Sequence, residues 1–111
     1  MFHNIYIFGL GMMGGSLAYA IKRKKYCKKV YAYDTCRQSL LFAKKNRLID
    51  DYDNKKLTLL KKSDLVIICA PVKRYDEIFK VIDKNTSENV LVSDIGSIKL
   101  NISKLLENSS V

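Results

Sequence analysis

The sequence predicts a doubly wound α/β domain built on a parallel sheet of about five strands. Three observations carry this. Short β-rich apolar runs alternate with helically spaced amphipathic stretches along the whole chain, and such alternation builds parallel strands joined by right-handed helical crossovers. The strongest run, "DLVIICA" (64–70), is apolar at consecutive positions, as in a central strand covered on both faces. A glycine-rich turn separates the first strand from the first helix, at "FGLGMMGG" (8–15).

In order, "NIYIFG" (4–9) is a short strand that stops at glycine. A helix follows, with Met13, Leu17, Ala20 and Ile21 on its apolar stripe. "KVYAYD" (29–34) is the second strand, and Cys36, Leu40 and Ala43 begin the second helix. "DYD" (51–53) reads as a very short third strand and Lys55 to Lys62 as a weak helix. After the central strand, Tyr75, Ile78, Phe79 and Ile82 repeat at helical spacing. "NVLVSD" (89–94) is the fifth strand, and Ile98, Ile102, Leu105 and Leu106 mark a last helix. The two-half dinucleotide-binding version of this architecture has six strands. The chain is therefore expected to stop one strand early, as a single domain over residues 1–111 with "ENSSV" as a polar tail.

The formal net charge is +9. Six of the eight residues in "KRKKYCKK" (22–29) are basic, a density that a nucleic-acid patch would also show. The other bases are scattered in pairs, several of them at expected helix ends, where cations suit the dipole. No aromatic residues interleave with them as a base-stacking platform requires. A solvated basic surface is the expectation, with no nucleic-acid partner. No stretch is long and apolar enough for a membrane span, and the N-terminus lacks the basic lead-in of a secretory signal. Cys27, Cys36 and Cys69 are odd in number without C-x-x-C spacing, which fits reduced thiols and a cytoplasmic location.

Gly9, Gly11 and Gly14 form G-x-G-x-x-G. A lone match is weak, but this one has a strand before it, a helix after it and an acid 20 residues on from Gly14, Asp34. Gly9 would permit the tight turn, Gly11 the approach of a pyrophosphate and Gly14 close helix–strand packing. The backbone amides of Met12 and Met13 would face the phosphates at the positive end of the helix. A carboxylate at Asp34 would accept the adenosine ribose hydroxyls and repel a 2′-phosphate, favouring NAD over NADP. It could equally cap the next helix, and Arg37 leaves room for NADP. The loop Ala70-Pro71-Val72 ends the central strand, where open α/β sheets bind ligands. Gly96 and Ser97 end the last strand on the same side; Ser97 suits a helix cap as well as a contact to nicotinamide or substrate. His3, the single histidine, precedes the first strand, at the wrong end for the cofactor. No metal-ligand cluster is present.

Together "GLGMMGGSLAYAIK", "YAYD", "APV" and "SDIGSIK" resemble the nucleotide-binding domain of prephenate dehydrogenases, in order and spacing over nearly the whole chain. The G-G-S-L-A continuation and D-x-G-S-x-K are the most specific parts; related β-hydroxyacid dehydrogenases share the glycines but not these. The resemblance implies a Rossmann-type NAD-binding fold and a parent enzyme that oxidatively decarboxylates prephenate to 4-hydroxyphenylpyruvate in tyrosine biosynthesis, with NAD or NADP. It implies that Ser97 lies beside the substrate hydroxyl and helps orient a catalytic histidine. It also implies a helical domain that binds substrate and forms a homodimer. The family's histidine segment, H-P-x-A-G, and that helical domain have no match in these residues. The expectation is a cofactor-binding portion, inactive alone. The rival expectations are a stand-alone nucleotide-binding or redox-sensing regulatory module, or another dehydrogenase of the β-hydroxyacid type.

Overall fold

The computed structural model describes residues 2–53, 57–70, 72–86 and 90–94. The expectations on Pro71, Gly96, Ser97 and the last helix lie outside these residues. The elements run β1 (Phe2–Phe8), α1 (Met12–Lys24), β2 (Cys27–Tyr33), α2 (Arg37–Lys45), β3 (Asp51–Tyr52), a 3₁₀ turn (Leu60–Lys62), β4 (Leu65–Ile68), a second 3₁₀ turn (Val72–Arg74), α3 (Tyr75–Asn85) and β5 (Leu91–Asp94). The five strands form one sheet in the order β3-β2-β1-β4-β5, and every pairing is parallel. The order reverses at β1, so the crevice between β1 and β4 is the switch point where such sheets bind ligands.

Two apolar layers explain why β1 and β4 read as continuous hydrophobic runs. Ile5, Ile7, Leu65 and Ile67 pack with Leu17, Ala18 and Ile21 of α1 and Leu40 and Ala43 of α2. The alternate residues Tyr6, Phe8, Val66 and Ile68 pack with Ile78 and Ile82 of α3. Successive side chains of a strand point to opposite faces, so a sheet covered on both sides needs apolar residues at every position.

Three helical expectations shift. The buried stripe of α1 uses Ala18, which is 0% exposed, in place of Ala20, because Gly14, Ala18 and Ile21 follow the helical period on the sheet-facing side. In α3, Phe79 is 46% exposed and only Ile78 and Ile82 are fully inside. Between β3 and β4 the described part of the proposed helix is only the 3₁₀ turn Leu60–Lys62. The physical cause is Asp53. Its buried carboxylate accepts hydrogen bonds from the backbone N–H groups of Leu59 (2.9 Å) and Leu60 (3.0 Å) and from the Tyr6 hydroxyl (2.8 Å). Leu57, at φ 51°, sits in the left-handed region that α-helices exclude.

Two further aspartates fasten loops to strands. Asp50 accepts from the Lys22 ammonium (2.9 Å) and the Val30 N–H (2.7 Å), tying the end of α1 to β2. Asp64 accepts from the N–H groups of His3 and Asn4 at 2.9 Å each. Burial alone would raise both carboxyls, but these partners outweigh it and hold both below the ordinary value. Depressed folded-state values contribute stability above the unfolded carboxylate pKa, near 4, and lose it as pH falls through the folded values. Thermal melts should therefore show a fall in Tm below about pH 4, and Asp50→Asn should flatten part of that fall. An unchanged acid limb in the variant would contradict the assignment.

Candidate dinucleotide site

The carboxyl ends of β1, β2 and β4 meet at the glycine turn. The Gly9 N–H donates to the Tyr33 carbonyl (2.8 Å), and the Cys69 N–H donates to the Phe8 carbonyl (2.8 Å). These bonds carry the ladder one step past the strands and clamp the turn between β2 and the β4 loop. Gly9 has φ +96°, and a Cβ there would stand 3.2 Å from the Cys69 carbonyl group. At Gly14 a Cβ would overlap the Gly9 carbonyl oxygen, which is how closely α1 approaches the turn. Gly11 differs: nothing lies within 4 Å of where its Cβ would project. It is the N-cap of α1, and no acid occupies the helix's first turn. The leading N–H groups of a helix have no intrahelical acceptors, and they carry the positive end of its dipole. Gly11, Met12, Met13 and Gly14 thus present backbone donors beside open space, a cradle for an anionic group.

Asp34 lies at the end of β2. Its Oδ2 accepts from the Leu10 N–H (2.6 Å) and its Oδ1 from the Cys36 N–H (2.8 Å). The first bond joins the acid directly to the glycine turn, a role that sequence spacing did not indicate. The second forms a local turn. Asp34 does not cap α2: that helix is capped by Cys36, with no side-chain cap bond. Each carboxylate oxygen can accept a second bond, so both retain capacity for a hydroxyl donor.

Beside Asp34 lies a cleft of about 230 Å³. Gly9 and Ala70 border it, as the sequence leads one to expect. Phe8, Ile78 and Val81 give it an apolar floor, and Thr35, Arg74 and Glu77 give it polar edges. Arg74 and Glu77 escaped sequence reasoning. Their one signal was position, at the first turn of the helix that follows the central strand. For Met12, Met13 and Val72 the backbone lies at the expected places, opening α1 and the 3₁₀ turn after β4.

Other chemistry is distant or muted. His3 lies near the start of β1, at the opposite end of the sheet from the glycine turn. The Cys69 thiol is pushed up to about 11 by burial, so it stays protonated and packs as a small hydrophobe against the core. Cys36 is exposed, and hydrogen bonds from Ser39 lower its thiol. The basic run surrounds the end of α1 and the start of β2, where Lys22 pairs with Asp50 and the Arg23 guanidinium lies 6.0 Å from the Tyr19 ring centroid. No group of acidic, cysteine or histidine residues able to hold a metal occurs among the described residues. Nor is any described helix long and apolar enough to cross a membrane.

Comparison with known proteins bears on the family of the chain. Residues 17–111 match the family model of the prephenate dehydrogenase nucleotide-binding domain. The prephenate dehydrogenase of Bacillus subtilis is 31% identical over 97 residues, which are 86% of this chain and 26% of that protein. The cyclohexadienyl dehydrogenase of Zymomonas mobilis is 29% identical over 111 residues, 98% of this chain and 37% of that protein. Among solved structures, prephenate dehydrogenase from A. aeolicus in complex with hydroxyphenyl propionate and NAD+ superposes with a TM-score of 0.77 at 31% identity. It covers 83% of this chain and 32% of that one. Synechocystis arogenate dehydrogenase, at 22% identity and a TM-score of 0.74, shares the fold. The chain thus spans about a third of the length of the proteins it matches. On a fold with its crevice at the switch point, the family match over residues 17–111 gives the assignment: the chain belongs to the nucleotide-binding domain family of prephenate dehydrogenases.

Proposed function

We propose that residues 1–111 form the NAD-binding domain of a prephenate dehydrogenase. The observation that carries this is the open cradle at Gly11 beside Asp34, with Gly9 and Gly14 locked by close backbone packing. In this reading the N–H groups of Gly11 to Gly14 hold the pyrophosphate, and Asp34 accepts the adenosine ribose hydroxyls. Ala70, Pro71 and Val72 border the dinucleotide after β4. Gly96 and Ser97, which come after β5 in the sequence, are assigned to the same site in this reading, with Ser97 as the substrate-orienting residue. NAD, when bound, accepts the hydride released as prephenate loses carbon dioxide and becomes aromatic. The general acid–base work of a histidine is not assigned to His3, which lies near the start of β1, at the far end of the sheet.

Titration of the 111-residue chain with NADH, followed by fluorescence, should show saturable binding that is tighter than for NADPH. Prephenate turnover by this chain alone should be absent. Asp34→Ala removes a ribose acceptor and the tether to Leu10, so NADH binding should weaken about 10- to 100-fold, as for loss of a charged hydrogen-bond acceptor. The gap to NADPH should narrow. Tighter binding of NADPH by the unmodified chain would contradict the role given to Asp34.

A further inference from the structure

We infer that Arg74, held by Glu77, is the lid of the purine slot in this domain. This rests on the dinucleotide reading above and names the group that grips its adenine.

The cleft beside Asp34 measures about 230 Å³, below the roughly 300–1,000 Å³ of a pocket that encloses a drug-sized ligand. It therefore suits one nucleoside-sized group rather than a whole dinucleotide. Its floor is apolar, from Phe8, Ile78 and Val81, and Asp34 and Thr35 stand at the β2 edge. Arg74, which ends the 3₁₀ turn after β4, and Glu77 of α3 also line the cleft. A flat aromatic ring between an apolar floor and a planar cation gains from stacking and from cation–π attraction.

Arg74 stands at the junction of the 3₁₀ turn and α3. It is the N-cap of α3, with no side-chain cap bond. Its backbone is already helical, at φ −99° and ψ −1°, since the 3₁₀ turn Val72–Arg74 runs straight into α3. Glu77, one turn on, places Oε2 3.7 Å from the Arg74 Nε. Asp76 and Glu77 are the acids of the first turn of α3. The Arg74–Glu77 pair is exposed, at 38% and 68%, and adds little stability; in this reading its role is to hold the guanidinium at the cleft that both residues line.

The test compares adenosine, which carries the ring without phosphate, with NADH. Binding to the 111-residue chain is followed by NMR and fluorescence, and circular dichroism checks that each variant is folded. Arg74→Ala should weaken adenosine and NADH by the same factor, about 3- to 30-fold. Arg74→Lys should restore binding only in part, because an ammonium keeps the cation–π attraction but lacks the planar face that stacks, and Glu77→Gln should give a smaller loss for both ligands. Unchanged affinities in Arg74→Ala overturn the inference and leave the dinucleotide reading standing. A loss for NADH but not adenosine also overturns it, by placing Arg74 on the phosphates. Absence of all binding to the unmodified chain overturns the reading and the inference together.

Discussion

Replacing Gly14 with alanine is expected to destabilise the domain by about 3 kcal/mol, the upper end of the overpacking range. The added methyl would overlap the Gly9 carbonyl oxygen, and both partners are backbone. Gly9 cannot retreat, since it is clamped between the Tyr33 carbonyl and the Cys69 carbonyl group. For a domain of this size such a loss lowers Tm by about 10 °C or more. Gly11→Ala is the counterpart. Its methyl meets nothing within 4 Å, and its backbone, at φ −56° and ψ −172°, suits any L-residue. Its Tm should therefore stay close to that of the unmodified chain, while NADH binding falls at least tenfold because the methyl occupies the pyrophosphate's approach. Paired thermal melts and NADH titrations separate the two glycines. Equal effects of both substitutions on stability would contradict the division of labour.

Asp53→Ala should be as damaging for a different reason. The carboxylate is 4% exposed and serves three donors: the Tyr6 hydroxyl and the Leu59 and Leu60 N–H groups. Burial, and then the Asp53 hydrogen bond, push the Tyr6 phenol well above its ordinary value, so it remains a donor at any pH where the fold persists. Removing the acceptor strands buried donors at about 1–3 kcal/mol each, partly relieved by water, for an expected loss of about 3–5 kcal/mol. Tyr6→Phe removes one donor and leaves the acid two backbone partners, so about 1–2 kcal/mol is expected. Urea unfolding of the two variants checks the order, and a larger loss in Tyr6→Phe would refute it. The acid also fixes the loop that brings Leu57 to the cleft, so NADH affinity should fall in Asp53→Ala and hold in Tyr6→Phe.

The contrast between Asp34 and Asp53 shows what the sequence made legible. Strand period, glycine spacing and an acid at the end of β2 are local or near-local patterns, and they located the sheet, the turn and Asp34. Both-face burial of β1 and β4 could be read from unbroken apolar runs. Asp53 could not be read, because "DYD" looks like a strand and its three partners are 47, 6 and 7 residues away. The same carboxylate captured the N–H groups that an α-helix over Lys55 to Lys62 would have used. Arg74 was hidden for a similar reason: its neighbours across the cleft, Phe8 and Asp34, come from β1 and β2. On α1 the error was one of phase. Ala18 and Ala20 are equally apolar, and only packing on the sheet selects Ala18.

The most direct test of the central claim is an amide NMR titration of the 111-residue chain with NAD. The account predicts saturable shifts at Gly9 to Gly15, at Tyr33 to Cys36 and at Ala70 and Arg74, with little change at Lys22 to Lys29. Absence of saturable shifts at the glycine turn, or shifts confined to the basic run at the far end of α1, would contradict it.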